Sequence, residues 1–446
     1  MRETLSQLAW HVSRLPPEKV DAFISRLWLE TQHVNRSTVR GIVLPLFDDI
    51  ALLGLSLLLE LRRLHVTLPV EIPHCGDLSG TFQRTVQEHD ENVRFYDICD
   101  RAASARMDAR PLFCVDLAHC HAKFRSFEIK VLALVYSQFQ EIMMLDGDTL
   151  FFQSPMSLWN TSKYKNTGTL FFHDRISFEF SYLAQRTVVD GQVQSGVGAL
   201  HRFLAEFDVS PYRRFTSEGD RAFEPHVPRR FVGIDLGFQP SAILLESHVW
   251  KLRSGHQMDS SLLLWNKARQ PRATTILASL ISLNGLPTAP SYGDKELYWI
   301  ACELAETTYA FSDFGVGAIG WNVVTSGHQS DGVLCGDALQ YYPEELRPSP
   351  AREAGIEPLY ANSDHILAWG RDRRRLYRTV ARPAELYPGS FTERKLQQTC
   401  PFDVTTIELN ASESMTVTKR QRYYDLGESW IKEWSGRALR TCSLKS

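Results

Sequence analysis

No run of about 20 consecutive apolar residues, the length a membrane-spanning helix needs, occurs in the 446-residue sequence. The most apolar stretch, Ile50 to Leu59, is preceded by Asp48 and Asp49 and followed by Glu60, Arg62 and Arg63. The first 35 residues carry Arg14, Lys19, Asp21 and Arg26 within helical patterns, so they do not read as a signal peptide. Net charge is nearly absent: 49 Lys and Arg stand against 52 Asp and Glu, giving −3 and removing the basic footprint of a nucleic-acid binder. Cysteine is scarce. Eight residues without a Cys-x-x-Cys pair exclude a disulfide scaffold and give no zinc-ribbon or thioredoxin-like motif. Internal repeats and low-complexity tracts are also missing, which excludes solenoids and collagen-like chains. What remains is an ordinary globular composition, 43 % hydrophobic and 23 % charged.

What is present is an alternation of strands and helices. Residues 1–33 read as two amphipathic helices separated by Pro16-Pro17. Gly41-Ile-Val-Leu-Pro45 is a short apolar strand, and Ile50 to Leu64 a buried helix ending in cations. Further strands are expected at Pro69–Pro73, Val93–Asp97, Glu141–Leu145 and Gly168–Phe172, with a helix at Phe127–Phe139. Such an order predicts an α/β fold with a mainly parallel sheet and helices on both faces. The binding crevice is then expected beyond the carboxyl ends of the strands. Residues 175–250 read as a long insertion. Met258–Asn266, Thr274–Leu283 and Asp294–Ala305 read as helices, and residues 340–390 as loop. Val404–Leu409 is β-like and a polar tail follows.

The segment Glu141-Ile-Met-Met-Leu-Asp146-Gly-Asp148 carries the most chemistry. An apolar strand runs into two aspartates one residue apart, and Gly147 leaves room between them. Hard oxygen donors in an incomplete set suit Mg²⁺ or Mn²⁺ shared with substrate phosphates. With 25 aspartates in the chain, about one Asp-x-Asp is expected by chance, so the motif draws its meaning from the strand before it. Two other patterns compete. Gly315-Val-Gly317-Ala-Ile-Gly320 matches G-x-G-x-x-G, but the residues after it make a poor helix start, and it reads as a glycine-rich turn. Asp146-Gly-Asp148-Thr149 approaches the D-x-D-x-[TV] pattern of haloacid-dehalogenase-like phosphohydrolases, with Leu150 where that pattern has threonine or valine. A non-catalytic carbohydrate-binding protein is the alternative outside the enzymes.

Several blocks in order resemble one family. Gly41-Ile-Val-Leu-Pro45, Leu68-Pro-Val-Glu-Ile72, Phe127-Glu-Ile-Lys130 leading to Leu145-Asp-Gly-Asp148, Tyr164–Phe172, Met258-Asp-Ser-Ser261 to Lys267, and Tyr292-Gly-Asp294-Lys-Glu296 are similar to the α-1,3-mannosyltransferases of glycosyltransferase family 71, Golgi enzymes of fungi and similar organisms. The blocks span about 41–370. The resemblance implies a GT-A-like domain with a single Rossmann-type sheet over 41–375, a helical N-terminal extension over 1–40 and a C-terminal extension over 376–446. It also implies a GDP-mannose donor, a glycan acceptor, Mn²⁺ or Mg²⁺, and retention of configuration.

Residue by residue, it implies that Asp146 and Asp148 hold the metal on the donor diphosphate, with His365 or Asn362 matching a third ligand. Lys130 would pair with donor phosphate; a snorkelling surface lysine is the plain alternative. Gly41 and Pro45 lie where the nucleotide base stacks, and Ser260 lies in the segment that cradles the sugar. Asp259 and Asp294 are the candidate catalytic carboxylates, each also suited to a helix N-cap. Related enzymes usually carry an N-terminal anchor helix. Its absence here implies a lumenal part of a longer protein, or a chain held at the Golgi membrane by a partner. Sequons at Asn35, Asn160 and Asn410 and the eight cysteines agree with the secretory lumen. Cys114 and Cys120 are close enough for a local bridge.

Overall fold

The structure is a computed structural model, and it describes residues 15–32, 39–176, 181–189, 192–222, 230–231, 234–283, 289–325, 328–346, 356–363, 365, 374–382 and 404–443. Its centre is a six-stranded sheet. The strands are β1 (Arg40–Val43), β2 (Val70–His74), β3 (Val93–Asp97), β4 (Glu141–Leu145), β6 (Thr169–His173) and β7 (Met258–Asn266), in the order β3-β2-β1-β4-β7-β6. β1, β2, β3 and β4 are parallel, and β7 runs antiparallel between β4 and β6. The expected α/β class and mainly parallel sheet are therefore present.

Both faces of this sheet are covered, and the strands are apolar on both sides as a result. Ile142, Met144, Leu263 and Trp265 face one core with α1 (Pro17–Thr31), α4 (Ile129–Tyr136), α5 (Pro271–Leu280) and α6 (Leu297–Leu304). Their neighbours Met143, Leu145, Leu262 and Leu264 face a second core with α2 (Asp48–Arg63) and α3 (Gly80–His89). The alternation of successive residues between two cores is the period-two signature of a strand. It corrects the helical reading of Met258–Asn266: that run is β7, buried throughout. The first of the two expected N-terminal helices lies outside the described residues.

A second six-stranded sheet stands beside the first and was not anticipated. It contains β5 (Thr149–Phe151), β8 (Gly317–Thr325), β9 (His328–Tyr341), β10 (Pro358–Asn362), β11 (Tyr377–Thr379) and β12 (Thr406–Glu408), ordered β12-β11-β8-β9-β10-β5 and antiparallel at every pairing. The expected glycine-rich turn over 315–320 is instead the start of β8. Gly320 pairs with Gly336, and a Cβ at either would overlap backbone of the facing strand. Close backbone approach, not phosphate binding, accounts for these glycines. The expected loop over 340–390 contributes β10 and β11. The C-terminal segment adds β11 and β12 to this sheet and ends in the long helix α7 (Ala411–Ser443), which packs along α2 through Gly427 against Leu55.

Candidate active site

The chain passes from the first sheet to the second through Asp146-Gly147-Asp148, which links β4 to β5. The Asp146 N–H donates to Ser261 O at 2.9 Å, the Thr149 N–H to Asp146 O at 3.2 Å and the Ser363 N–H to Asp148 O at 3.2 Å. The two aspartates thus sit at the carboxyl edge of the parallel strands, in the crevice between two sheets. Both are half-buried. Gly147 does not face the crevice: a Cβ there would meet Gly54 and Leu46 at 3.5 Å, an ordinary contact against α2. Leu150, where a phosphohydrolase pattern needs a hydroxyl or valine, is fully buried in the core of the second sheet.

Behind the turn is a buried charge cluster. Lys130 on α4 is 5 % exposed, which excludes a snorkelling surface role. Its Nζ lies 2.9 Å from Asp146 Oδ1 and 3.1 Å from Asp294 Oδ2, and it donates at 3.0 Å to both the carbonyl and the Oγ of Ser260. Burial alone would lower the ammonium's pKa, but the two carboxylates outweigh it and hold Lys130 above the usual lysine range. With its donors engaged by the protein, Lys130 orients Asp146, Asp294 and Ser260.

Asp294 precedes α6 and is 1 % exposed. Its side chain accepts from Tyr298 at 3.0 Å and pairs with Lys130, so it does not cap the helix. Asp259 near the start of β7 is 3 % exposed and lies in a strand, so it cannot be a helix cap either. Oδ1 accepts the Ser261 N–H at 3.0 Å. Oδ2 accepts Gln340 Nε2 at 3.0 Å and Tyr360 OH at 3.4 Å, both reaching across from the second sheet. Burial raises the Asp259 pKa, neighbouring Asp174 adds to that rise, and Lys295 opposes it.

Asp174 and Lys295 are the residues that reading the sequence missed. Lys295 Nζ meets Asp174 Oδ2 at 2.7 Å. Burial would raise the Asp174 carboxyl, but the ammonium outweighs it and holds the group below its usual value. A signal was available: Asp174 follows the apolar strand β6 much as Asp146 follows β4. Among the described residues, Lys130 pairs with Asp146 and Asp294, and Lys295 pairs with Asp174 and acts on neighbouring Asp259.

Other expected residues fall differently. Pro45 is buried just past the carboxyl end of β1. Gly41 is at the opposite end of that strand, where a Cβ would overlap the Phe139 ring, so its small size serves packing and it does not join the cluster. The His365 side chain is 68 % exposed, with Nδ1 at 3.8 Å from Asp337 Oδ2. It is two residues from Ser363, whose N–H holds the Asp148 carbonyl. Among the described residues, no three His, Cys, Asp or Glu side chains converge as a ready ligand set.

Comparison with known proteins gives the family. A family model of mannosyltransferases, Mannosyl_trans3, matches residues 39–341, which include the whole first sheet, the acidic turn and strands β5, β8 and β9 of the second sheet. The chain belongs to this mannosyltransferase family. Among curated relatives, MNN1 of Candida albicans is 26 % identical over 308 residues, covering 65 % of this chain and 34 % of that protein. The alpha-1,3-mannosyltransferases MNN1 and MNT2 of Saccharomyces cerevisiae are each 24 % identical, covering 63 % and 66 % of this chain and 35 % and 47 % of their own lengths. The chain thus spans about a third to a half of the relatives it matches. Among solved structures, the apo WbbM bifunctional glycosyltransferase superposes with a TM-score of 0.33 at 10 % identity, covering 63 % of this chain and 40 % of that one. An active-site mutant of LgtC gives a TM-score of 0.28 at 11 % identity, covering 61 % and 72 %. Neither carries an argument here, and the α/β class of this mannosyltransferase-family chain rests on its own strand order.

Proposed function

We propose that the chain is a metal-dependent retaining α-mannosyltransferase that moves mannose from GDP-mannose to a hydroxyl of a glycan acceptor. The observation that carries this reading is the acidic turn at the junction of the two sheets, backed by the buried cluster of Lys130, Asp294 and Asp259. That donor set of half-buried oxygens fits a hard divalent ion. Asp146 and Asp148 would hold Mn²⁺ or Mg²⁺, with His365, two residues beyond Ser363, a candidate to complete the set. The ion would neutralise charge on the departing diphosphate.

The protein's own groups would do the rest. Lys130 would hold the Asp146 carboxylate in place by its ion pair. Asp259 and Asp294 would accept hydroxyls of the transferred sugar. Both oxygens of Asp259 already accept hydrogen bonds from the protein, and Asp294 Oδ2 is held by Lys130 and Tyr298, which favours same-face attack over a double displacement. Phe127 and Tyr292 are 55 % and 46 % exposed and belong to one ring cluster with Tyr182 and His256, next to the segments that carry Lys130, Asp294 and Asp259. Exposed rings at a polar cleft suit the apolar face of an acceptor sugar. Disulfides Cys75–Cys99 and Cys114–Cys120 fit an oxidising compartment and support the Golgi lumen. Among the described residues no helix is long and apolar enough to cross a membrane.

The test is transfer from GDP-mannose to an α-mannoside, with and without Mn²⁺. Asp148→Ala should lose metal-dependent transfer by at least about a hundredfold while keeping its fold. Full activity in that variant excludes this site.

A further inference from the structure

Arg420 is the least expected residue near the acidic turn. It lies on α7, outside the family match and 273 residues from Gly147, yet its side chain is fully buried. The guanidinium has five N–H donors, and the structure uses them in two directions. Toward α2, Nε donates to Ser56 Oγ at 2.7 Å, Nη2 to Leu53 O at 3.2 Å, and Nη1 to the Glu60 carboxylate. Toward the acidic turn, Nη2 donates to Gly147 O at 2.7 Å and Nη1 to Thr149 O at 2.9 Å. Asp148 is among the charges acting on the guanidinium. Since the carbonyls of Asp146 and Asp148 are held by Thr149 and Ser363, all four turn carbonyls have donors, and Arg420 supplies two of them.

A buried Arg paired only with Glu60 would be a core ion pair. The fork across Gly147 and Thr149 has a second consequence, because these carbonyls flank the residue whose carboxylate must face the metal. We propose that Arg420 is a positioning residue: from outside the segment that the family model matches, it fixes the backbone of the Asp146–Thr149 turn so that both carboxylates are presented together. The proposal rests on the functional reading above only for what the turn holds. The clamp itself is a property of the fold. Partners behind a first ligand shell commonly change metal affinity by about 10–100-fold.

Arg420→Ala would leave Glu60 as a lone buried charge, so the test pairs neutral replacements. Glu60→Gln alone keeps the fork on the turn. Glu60→Gln combined with Arg420→Met removes it at similar volume. Arg420→Lys keeps the charge beside Glu60 but cannot span two carbonyls as a planar fork. Two readouts are followed in folded protein: amide hydrogen exchange across residues 146–149, and the Mn²⁺ concentration that half-saturates GDP binding. Glu60→Gln is expected near wild type in both. The double variant and Arg420→Lys are expected to exchange faster in the turn and to need about tenfold more Mn²⁺. Wild-type exchange and Mn²⁺ demand in both Arg420 variants overturns the proposal. If the double variant does not fold, Arg420→Lys decides. If wild-type protein shows no Mn²⁺-dependent GDP binding, the functional reading fails, and the exchange measurement still decides the clamp.

Discussion

At the scale of single residues, Lys130 organises the site. It compensates the buried Asp294 and the half-buried Asp146, and removing one member of such a network leaves uncompensated charge. Lys130→Met should therefore destabilise the fold by about 3–5 kcal/mol, read as a shift in urea midpoint. A change below about 1 kcal/mol would mean that Asp146 and Asp294 are solvated without it. His173 and His201 set an acid limit. Burial pushes their imidazoles down to about 3 and about 4. His201 Nδ1 accepts the Gly198 N–H at 2.9 Å while Nε2 lies 2.9 Å from Trp250 O, an arrangement that needs the neutral ring. A folded pKa below the unfolded value near 6.5 contributes stability that is complete above that pH and is lost as pH falls toward 4. Urea midpoints from pH 7 to 4 should fall, and His201→Gln should flatten the slope by up to about 1.4 kcal/mol per pH unit. An unchanged slope contradicts a neutral His201. Asp146 and Asp148 were legible because an apolar strand precedes them. The Asp174–Lys295 pair was not: its partners are 121 residues apart, and local pattern carries no record of such a pairing.

At the scale of elements, parallel strands and their covering helices were legible wherever hydrophobic period and length agreed. Met258–Asn266 misled because a short apolar run has no period that separates a buried strand from a buried helix. The register decided it: Leu262 to Asn266 pair with Leu145 back to Glu141, and the strand is anchored between β4 and β6. Gly320 misled because a glycine pattern shared with phosphate loops here serves a tight strand pair. Gly320→Ala should force the β8–β9 backbones apart and cost at least about 2 kcal/mol, measured as thermal or urea stability. A neutral effect would show that the pairing at Cys335–Gly336 is looser than described. The second sheet was invisible for a related reason. Its strands are joined through pairings from β5 to β10 and from β11 to β12, across long sequence distances.

At the scale of the whole molecule, the acidic turn is where one sheet ends and the other begins. β4 supplies its entry and β5 its exit, while Gln340 on β9 and Tyr360 on β10 reach across to Asp259 on β7. Helix α7, from the far end of the chain, braces it from beneath through Arg420. The family motifs marked the centre of this arrangement, and the long-range supports became visible only in three dimensions. The central claim is that this junction binds a nucleoside diphosphate through a divalent ion. The most direct measurement is the thermal stability of wild-type protein and Asp148→Ala with GDP, each with Mn²⁺ or with EDTA. At about a hundredfold excess over its dissociation constant, GDP with Mn²⁺ should stabilise wild type by about 2.7 kcal/mol. It should do nothing with EDTA or in Asp148→Ala. Equal stabilisation in EDTA, or none with Mn²⁺, would contradict the account.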